Sequence, residues 1–130
     1  MLHRWIAAHA AHTPHRVALR FEGEAITYAE LAQRVERLAG TLAARGIGHG
    51  DRIAFLGAND PAQIVLLAVC AKLGAIQVPL NWRLATPELR FMLEDSGAAK
   101  LIATAEHAAQ AKGAAEGLCP ILDAADLGAG

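Results

Sequence analysis

The side chain best suited to bind an anion is Arg83, which follows a strand predicted over residues 75–80. Ligands of parallel sheets gather at the carboxyl ends of the strands, and the arginine fork can hold a phosphate or carboxylate at two points. Trp82 beside it can stack on a ring or cover the sheet edge. The residues alone favour a plainer interpretation of Arg83, a salt bridge to Glu88 or simple exposure.

The glycine-rich stretch Gly46-Ile47-Gly48-His49-Gly50 has the composition of a phosphate-binding loop but not its position. Such a loop follows a strand and opens a helix, so that free helix N–H groups face the phosphate. Here the glycines follow a helical pattern and precede a strand pattern. We therefore interpret them as a helix-to-strand turn.

Other reactive side chains lack the partners that chemistry would need. Four histidines lie within the first fifteen residues, namely His3, His9, His12 and His15. Two of them share a helix face, as metal ligands can, but no acid or cysteine lies close in sequence, so we expect surface histidines. Cys70 lies among aliphatic residues and is interpreted as a core side chain. Ser96 is the only serine and has no Gly-x-Ser-x-Gly setting. No catalytic residue and no metal site are predicted.

Residues 50–83 are predicted to form a βαβ unit that brings Arg83 to a sheet edge. Its apolar runs predict a strand, a helix and a second strand over residues 52–56, 62–73 and 75–80. Asn59 or Asp60 is expected to cap the helix, and Gly74 to end it. The two strands should be parallel with a right-handed crossover.

A hairpin and a long helix are predicted before this unit. The patterns indicate a helix over residues 5–12 and strands over 17–21 and 25–27. Thr27 and Glu30 have the spacing of a capping box, which opens an amphipathic helix that extends to about residue 45. Its apolar face consists of Leu31, Val35, Leu38 and Leu42.

Helices and strands continue to alternate after Arg83. Thr86 is expected to cap a helix over residues 88–95, and later elements are predicted over 100–103, 105–115 and 120–122. Together, the predicted elements indicate an α/β fold with a mostly parallel sheet flanked by helices. Three loops should form its ligand-binding edge, at residues 57–60, 81–83 and 104–106.

The bulk composition excludes several classes of protein. The 130 residues suffice for one domain, are 54% hydrophobic and carry a net charge of −1, so bulk charge indicates no nucleic-acid partner. The sequence contains no run of about 18 apolar residues, so no membrane span is predicted. The two cysteines have no metal-ligand spacing and the first residues have no secretory pattern, so a reduced, cytoplasmic chain is expected.

Several stretches in one order resemble the N-terminal part of the adenylate-forming acyl-CoA synthetases, the AMP-binding enzyme superfamily. They are AITYAEL at 25–31, GDRIA at 50–54, AKLGAIQVPLN at 71–81 and LEDSGA at 93–98. The resemblance covers residues 5–103 and depends most on the KLGA-to-VPLN passage. It implies a parent enzyme that joins a carboxylic acid to ATP, releases pyrophosphate and passes the acyl group to coenzyme A, with Mg as a further cofactor.

The resemblance also implies what this chain lacks. The family's Ser/Thr/Gly-rich loop ending in Pro-Lys, its ribose-binding Asp and the Lys of its C-terminal domain have no counterpart here. We expect residues 1–122 to be the N-terminal α/β subdomain, a fragment of the large N-terminal domain, and residues 123–130 to be a linker or truncated end. Alone, it should bind no cofactor and form no adenylate, because its partner is the remainder of the synthetase chain.

One site residue follows from the resemblance. Asn81-Trp82-Arg83 matches a segment whose arginine lies near a phosphate of coenzyme A in some aryl- and acyl-CoA ligases, so Arg83 is implied as a coenzyme A contact. The alternative is a stand-alone, non-catalytic interaction module that kept this fold. A small nucleotide-binding protein is disfavoured by the misplaced glycines. Either leading hypothesis leaves apolar surface exposed, through which the chain can form a homo-oligomer.

Overall fold

A computed structural model of the chain describes residues 2–58 and 60–124. Its elements in order are α1 (Leu2–His12), β1 (Val17–Phe21), β2 (Glu24–Thr27), α2 (Tyr28–Ala44), β3 (Arg52–Leu56), α3 (Pro61–Leu73), β4 (Ile76–Leu80), α4 (Thr86–Ser96), β5 (Lys100–Ala103), a 3₁₀ turn (Ala105–His107), α5 (Ala108–Ala115) and β6 (Ile121–Asp123). The predicted α/β fold, with its hairpin and long helix, is confirmed.

Four of the strands form a parallel sheet in the order β4-β3-β5-β6, and β1 and β2 form a separate antiparallel hairpin. The chain moves from β3 to β4 in one direction along the sheet and from β5 to β6 in the other. The winding direction therefore reverses between β3 and β5. Crevices at the carboxyl ends of such strands are where ligands bind in open α/β sheets.

Helices cover both faces of the sheet. Consecutive residues of β3 point to opposite faces and therefore contact different helices. Ile53 and Phe55 pack with buried side chains of α1, α2 and α3. Ala54 and Leu56 pack with those of α4 and α5. The domain therefore has three layers, which we call the α1–α3 layer, the sheet and the α4–α5 layer.

The capping box at the start of α2 is confirmed. Oγ1 of Thr27 accepts a hydrogen bond from the Glu30 N–H at 3.2 Å, and Oε1 of Glu30 accepts one from the Thr27 N–H at 3.3 Å. The Thr27 hydroxyl also donates to Oε1 of Glu30, and these bonds lower the pKa of that carboxyl. The predicted apolar face of α2 is buried.

Helix α3 begins and ends at the residues that its sequence predicts. Oδ1 of Asp60 accepts from the Ala62 N–H at 2.8 Å, whereas Asn59 lies outside the described residues. Gly74 ends the helix in the left-handed conformation, at φ 73°. A Cβ at that position would lie only 2.7 Å from Nδ1 of His49, so both the backbone angle and the available space favour glycine.

Two predictions of helix starts were wrong. Thr86 is already the first residue of α4, and the cap is Ala85, whose carbonyl accepts from the N–H groups of Glu88 and Leu89. Oε1 of Glu88 accepts from the Ala85 N–H at 3.2 Å, so the side chain of the third helical residue bonds back to the cap residue. The helix predicted over residues 105–115 opens as a 3₁₀ turn, because the His107 N–H donates to the Thr104 carbonyl.

The predicted boundary between subdomain and linker lies next to β6, which ends at Asp123. Ala124 is buried in the core of the α1–α3 layer. Residues 125–130, most of the predicted linker, lie outside the described residues.

Candidate functional site

A cavity of about 580 Å³ opens at the carboxyl ends of β3 and β5. Asp60 and Thr104 line it from the two loops after these strands, and Phe21 and Arg34 line it from the hairpin and α2. Two of the three predicted edge segments, residues 57–60 and 104–106, thus meet at one cavity. The Arg83 loop is not part of its lining.

The mouth of this cavity is acidic. Four carboxylates line it, those of Glu22, Glu24, Asp60 and Glu106, against the single guanidinium of Arg34. That guanidinium already pairs with Glu24 at 3.7 Å. The described residues of the cavity lining thus carry more negative than positive charge, which disfavours the binding of phosphates or carboxylates to these residues alone.

The loop after β3 and the end of β5 approach each other closely beside the cavity. A Cβ on Gly57 would lie 2.6 Å from Cγ2 of Thr104 and 3.3 Å from Cε1 of Phe55. The Thr104 N–H donates to the Leu56 carbonyl at 3.1 Å. Glycine at position 57 lets the two strand ends form one wall.

Arg83 lies in a tight turn between β4 and α4. Oδ1 of Asn81 accepts from the Arg83 N–H at 3.0 Å, and the Asn81 carbonyl accepts from the Leu84 N–H at 3.0 Å. Cζ of Arg83 lies 5.0 Å from the centroid of the Trp82 ring, within the range of a cation–π contact. These contacts hold the guanidinium near the indole at the surface.

No carboxylate neutralises Arg83 in the described part of the chain. The ion pairs there are Arg34–Glu24, Lys72–Glu36 and Arg90–Glu94. Of the two plainer interpretations, the salt bridge from Arg83 to Glu88 is not among them, whereas the simple exposure of Arg83 is observed. Oε1 of Glu88 accepts from the Ala85 N–H. The exposed guanidinium is thus available to an external anion.

His107 in the 3₁₀ turn and Gln110 on α5 contact this loop, and neither contact was predicted from the sequence. Nε2 of Gln110 donates to the carbonyls of Trp82 and Leu84, at 2.9 and 3.0 Å. The ring of His107 lies 5.4 Å from that of Trp82. Gln110 is separated from these partners by 28 and 26 residues, so no local pattern could reveal the contacts.

The other residues considered from sequence take structural positions. His9 stacks on Tyr28 at 4.8 Å and lies 4.3 Å from Trp5. No three His, Cys, Asp or Glu side chains within residues 2–58 and 60–124 could hold a metal ion together. Cys70 is buried, and that burial raises the pKa of its thiol to about 11.

The glycine-rich stretch forms the predicted helix-to-strand turn. The Gly46 N–H donates to the Ala43 carbonyl, and Gly48 donates to Oδ2 of Asp51 at 2.8 Å. The Gly50 N–H donates to the Gly74 carbonyl at 2.8 Å. These bonds use the amides that a phosphate would need.

None of the helices in the described ranges is both long and apolar enough to cross a bilayer.

Comparison with known proteins identifies the family. The sequence profile described as "AMP-binding enzyme" matches residues 6–129. A feruloyl-CoA synthase from Amycolatopsis sp is 52% identical over 104 residues, which are 80% of this chain and 21% of that protein. An indoleacetate–CoA ligase from Aromatoleum aromaticum is 48% identical over 94 residues, 72% of this chain and 18% of that protein.

A solved structure shares the fold. It is the O-succinylbenzoate coenzyme A synthetase of Bacillus subtilis in complex with ATP and magnesium ion, with a TM-score of 0.82 and 34% identity over 95% of this chain and 33% of that one. The chain thus spans between 18% and 33% of the three relatives named here. It belongs to the AMP-binding enzyme family and has the fold of the N-terminal portion of an adenylate-forming acyl-CoA synthetase.

Proposed function

We propose that this chain forms the N-terminal part of an ATP-dependent carboxylic acid–CoA ligase. In the first half-reaction the carboxylate attacks the α-phosphate of ATP, which gives an acyl adenylate and pyrophosphate. In the second, the thiol of coenzyme A attacks the acyl carbon and displaces AMP, which gives the thioester. The observation that carries this proposal is the 52% identity to a feruloyl-CoA synthase over 80% of the chain.

The acid is proposed to be an aryl or fatty acid. Support comes from the relatives, two of which are named for ferulate and indoleacetate. Because carboxylates outnumber cations in the described cavity lining, the remainder of the synthetase is proposed to hold the carboxylate of the acid. Pyrophosphate release from ATP, measured across a series of aryl, fatty and amino acids on the complete enzyme, tests this class. Release with amino acids alone would contradict it.

ATP and Mg²⁺ are proposed as cofactors of the complete enzyme, in line with the relative that was solved with both. The described residues do not fit a magnesium site, since no three suitable side chains converge. We therefore assign no step of the reaction to a metal in this part of the enzyme.

Arg83 is proposed to contact a phosphate of coenzyme A. It follows the carboxyl end of β4, is exposed and has no carboxylate partner among the described residues. Its guanidinium is cationic and presents several donors in one plane. Charge-assisted hydrogen bonds from such a fork to a phosphate are stronger than neutral ones.

The test is Arg83→Ala in the complete synthetase. The loss of a charge-assisted contact should raise KM for coenzyme A by about tenfold to a hundredfold, while acid-dependent ATP–pyrophosphate exchange stays unchanged. Arg37→Ala, on the exposed face of α2, is the matched control and should alter neither quantity. An unchanged KM for coenzyme A in Arg83→Ala would exclude this role.

The 130-residue chain alone is proposed to be inactive in adenylate formation. The support is that its sequence has no match to the family's phosphate loop or catalytic lysine. ATP–pyrophosphate exchange by the isolated chain would overturn this proposal. Thermal stabilisation by ATP or coenzyme A would show binding without catalysis.

An interaction module remains the second candidate, because large apolar side chains are exposed on α3 and on β4. They are Ile64 and Leu67 on α3 and Ile76 on β4, which is an edge strand in the described part of the sheet. Such surface is proposed to bind the remainder of the synthetase or a second copy of this chain. Light scattering distinguishes a 13.6 kDa monomer from its multiples.

A further inference from the structure

The side chain of Gln110 donates hydrogen bonds to the loop that contains Arg83. It does so on both sides of the arginine. Its Nε2 donates to the Trp82 carbonyl at 2.9 Å and to the Leu84 carbonyl at 3.0 Å. We propose that Gln110 is a positioning residue, which orients this loop so that Arg83 meets the phosphate of coenzyme A. The inference depends on the proposed function of Arg83.

The orientation of the Gln110 amide is determined by its partners. Because two carbonyls surround its NH₂ group, its Oε1 faces His107, whose Nδ1 lies 3.2 Å away. An amide oxygen only accepts hydrogen bonds, so Nδ1 of His107 must be the donor. This bond orients the His107 ring, which lies 5.4 Å from the Trp82 ring. Gln110 and His107 therefore hold both the backbone and the side chain of the Arg83 loop.

The other contacts of the loop are its internal hydrogen bonds and the packing of Leu84 against the core of the α4–α5 layer. Its internal bonds run from the Arg83 N–H to the Asn81 side chain and from the Leu84 N–H to the Asn81 carbonyl. These bonds fix the shape of the turn but not its orientation against the sheet. A guanidinium whose backbone is already oriented loses less conformational freedom when it binds a phosphate.

Helix α5 is a firm support for this contact. Its inner face consists of small buried residues, Ala111, Ala114 and Ala115. A Cβ on Gly113 would lie 3.1 Å from Cγ2 of Thr86, so α5 packs closely against the start of α4. The position of Gln110 is thus fixed by the sheet and by α4, independently of the loop that it holds.

The first experiment is Gln110→Glu in the complete synthetase. The exchange keeps the shape of the side chain but turns a carboxylate oxygen toward two carbonyls. KM for coenzyme A should rise about tenfold, as expected for the loss of two neutral hydrogen bonds. The kcat at saturating coenzyme A and the ATP–pyrophosphate exchange rate should remain within about twofold. Gln33→Glu, the same exchange on the exposed face of α2, should change nothing.

The two proposals fail in different ways. If Arg83→Ala raises KM for coenzyme A and Gln110→Glu does not, the positioning role is wrong and the arginine contact stands. If neither variant alters that KM, the proposed role of Arg83 is wrong as well. Because Gln110 acts through Arg83, the double variant should be no worse than Arg83→Ala alone. A further loss in the double variant would contradict the inference.

A readout without catalysis is available in this chain, which has two tryptophans. In a Trp5→Phe background Trp82 is the only tryptophan. Gln110→Glu should increase the quenching of its fluorescence by acrylamide, since the loop loses its anchor. Unchanged quenching, with the melting temperature retained, would show that Gln110 does not hold the loop.

Discussion

Replacing Gly74 by alanine should destabilise the domain more than the same change at Gly97. Both glycines end helices in the left-handed conformation, at φ 73° and 66°. Alanine in that conformation costs about 1–2 kcal/mol at either site. Only at position 74 would the new Cβ also meet a ring, 2.7 Å from Nδ1 of His49; at position 97 the nearest atom, Nη1 of Arg52, is 3.8 Å away.

The additional cost at position 74 can be estimated from the neighbour that must move. His49 is exposed, so its ring can rotate away, and leaving a rotamer minimum costs about 0.5–1.5 kcal/mol. We therefore expect Gly74→Ala to lower the free energy of unfolding by about 1.5–3.5 kcal/mol, and Gly97→Ala by about 1–2 kcal/mol.

Urea denaturation of the chain, followed by circular dichroism, measures both values. His49→Ala should remove the additional cost of Gly74→Ala and leave the cost of Gly97→Ala unchanged. Equal costs for the two glycine variants in the parent chain would refute the steric argument, since all of the effect would then be backbone strain. The same conclusion would follow if His49→Ala gave no relief.

Three further predictions concern the core, a helix cap and a thiol. Leu66→Ala should cost about 2–5 kcal/mol because Leu66 is fully buried, whereas its neighbour Leu67 is 46% exposed and Leu67→Ala should cost under about 1 kcal/mol by urea denaturation. Thr27→Ala should cost about 1 kcal/mol at pH 7. The bonds from Thr27 lower the pKa of Glu30 in the folded chain. The part of the stabilisation that is due to the Glu30 carboxylate is therefore fully present above the pKa of Glu30 in the unfolded chain, and it is lost as the pH falls through the pKa in the folded chain. Cys70, with its pKa raised to about 11, should react slowly with a disulfide reagent at pH 8 until the chain unfolds, in a variant whose other cysteine is serine.

For each of these three predictions, one outcome would contradict it. Equal costs for the two leucine variants would mean that burial does not decide the stability of α3. A cost of Thr27→Ala that is the same at pH 7 and pH 3 would assign no role to the Glu30 carboxylate. Immediate reaction of Cys70 in the native chain would show that solvent reaches its thiol.

Elements whose signals are local were predictable from sequence. The capping box of Thr27 and Glu30 fixed the start of α2, and Gly74 fixed the end of α3, because both devices act within a few residues. The cap at Thr86 was predicted wrongly, since the Ala85 carbonyl accepts from the N–H groups of Glu88 and Leu89, and the side chain of Glu88 accepts from the N–H of Ala85 itself. A threonine before a proline does not specify which residue becomes the cap.

The arrangement of the candidate sites depended on long-range contacts and could be predicted only in part. The predicted strand ends located the ligand-binding edge of the sheet. They did not show that Arg83 lies outside the cavity lining. The chain leaves β4 toward the α4–α5 layer, whereas the cavity is covered by the hairpin and α2. The contacts of Gln110 appear only after α5 has packed on the sheet.

The alternation of side chains along β3 also divides the core of the domain into two parts. Ile53 and Phe55 belong to the layer beside the cavity, and Ala54 and Leu56 belong to the layer that supports the Arg83 loop. A substitution at an odd position of this strand therefore changes packing in the α1–α3 layer, and one at an even position changes packing in the α4–α5 layer. A change in the core beside the cavity thus leaves the side chains beneath the Arg83 loop in contact with the same neighbours.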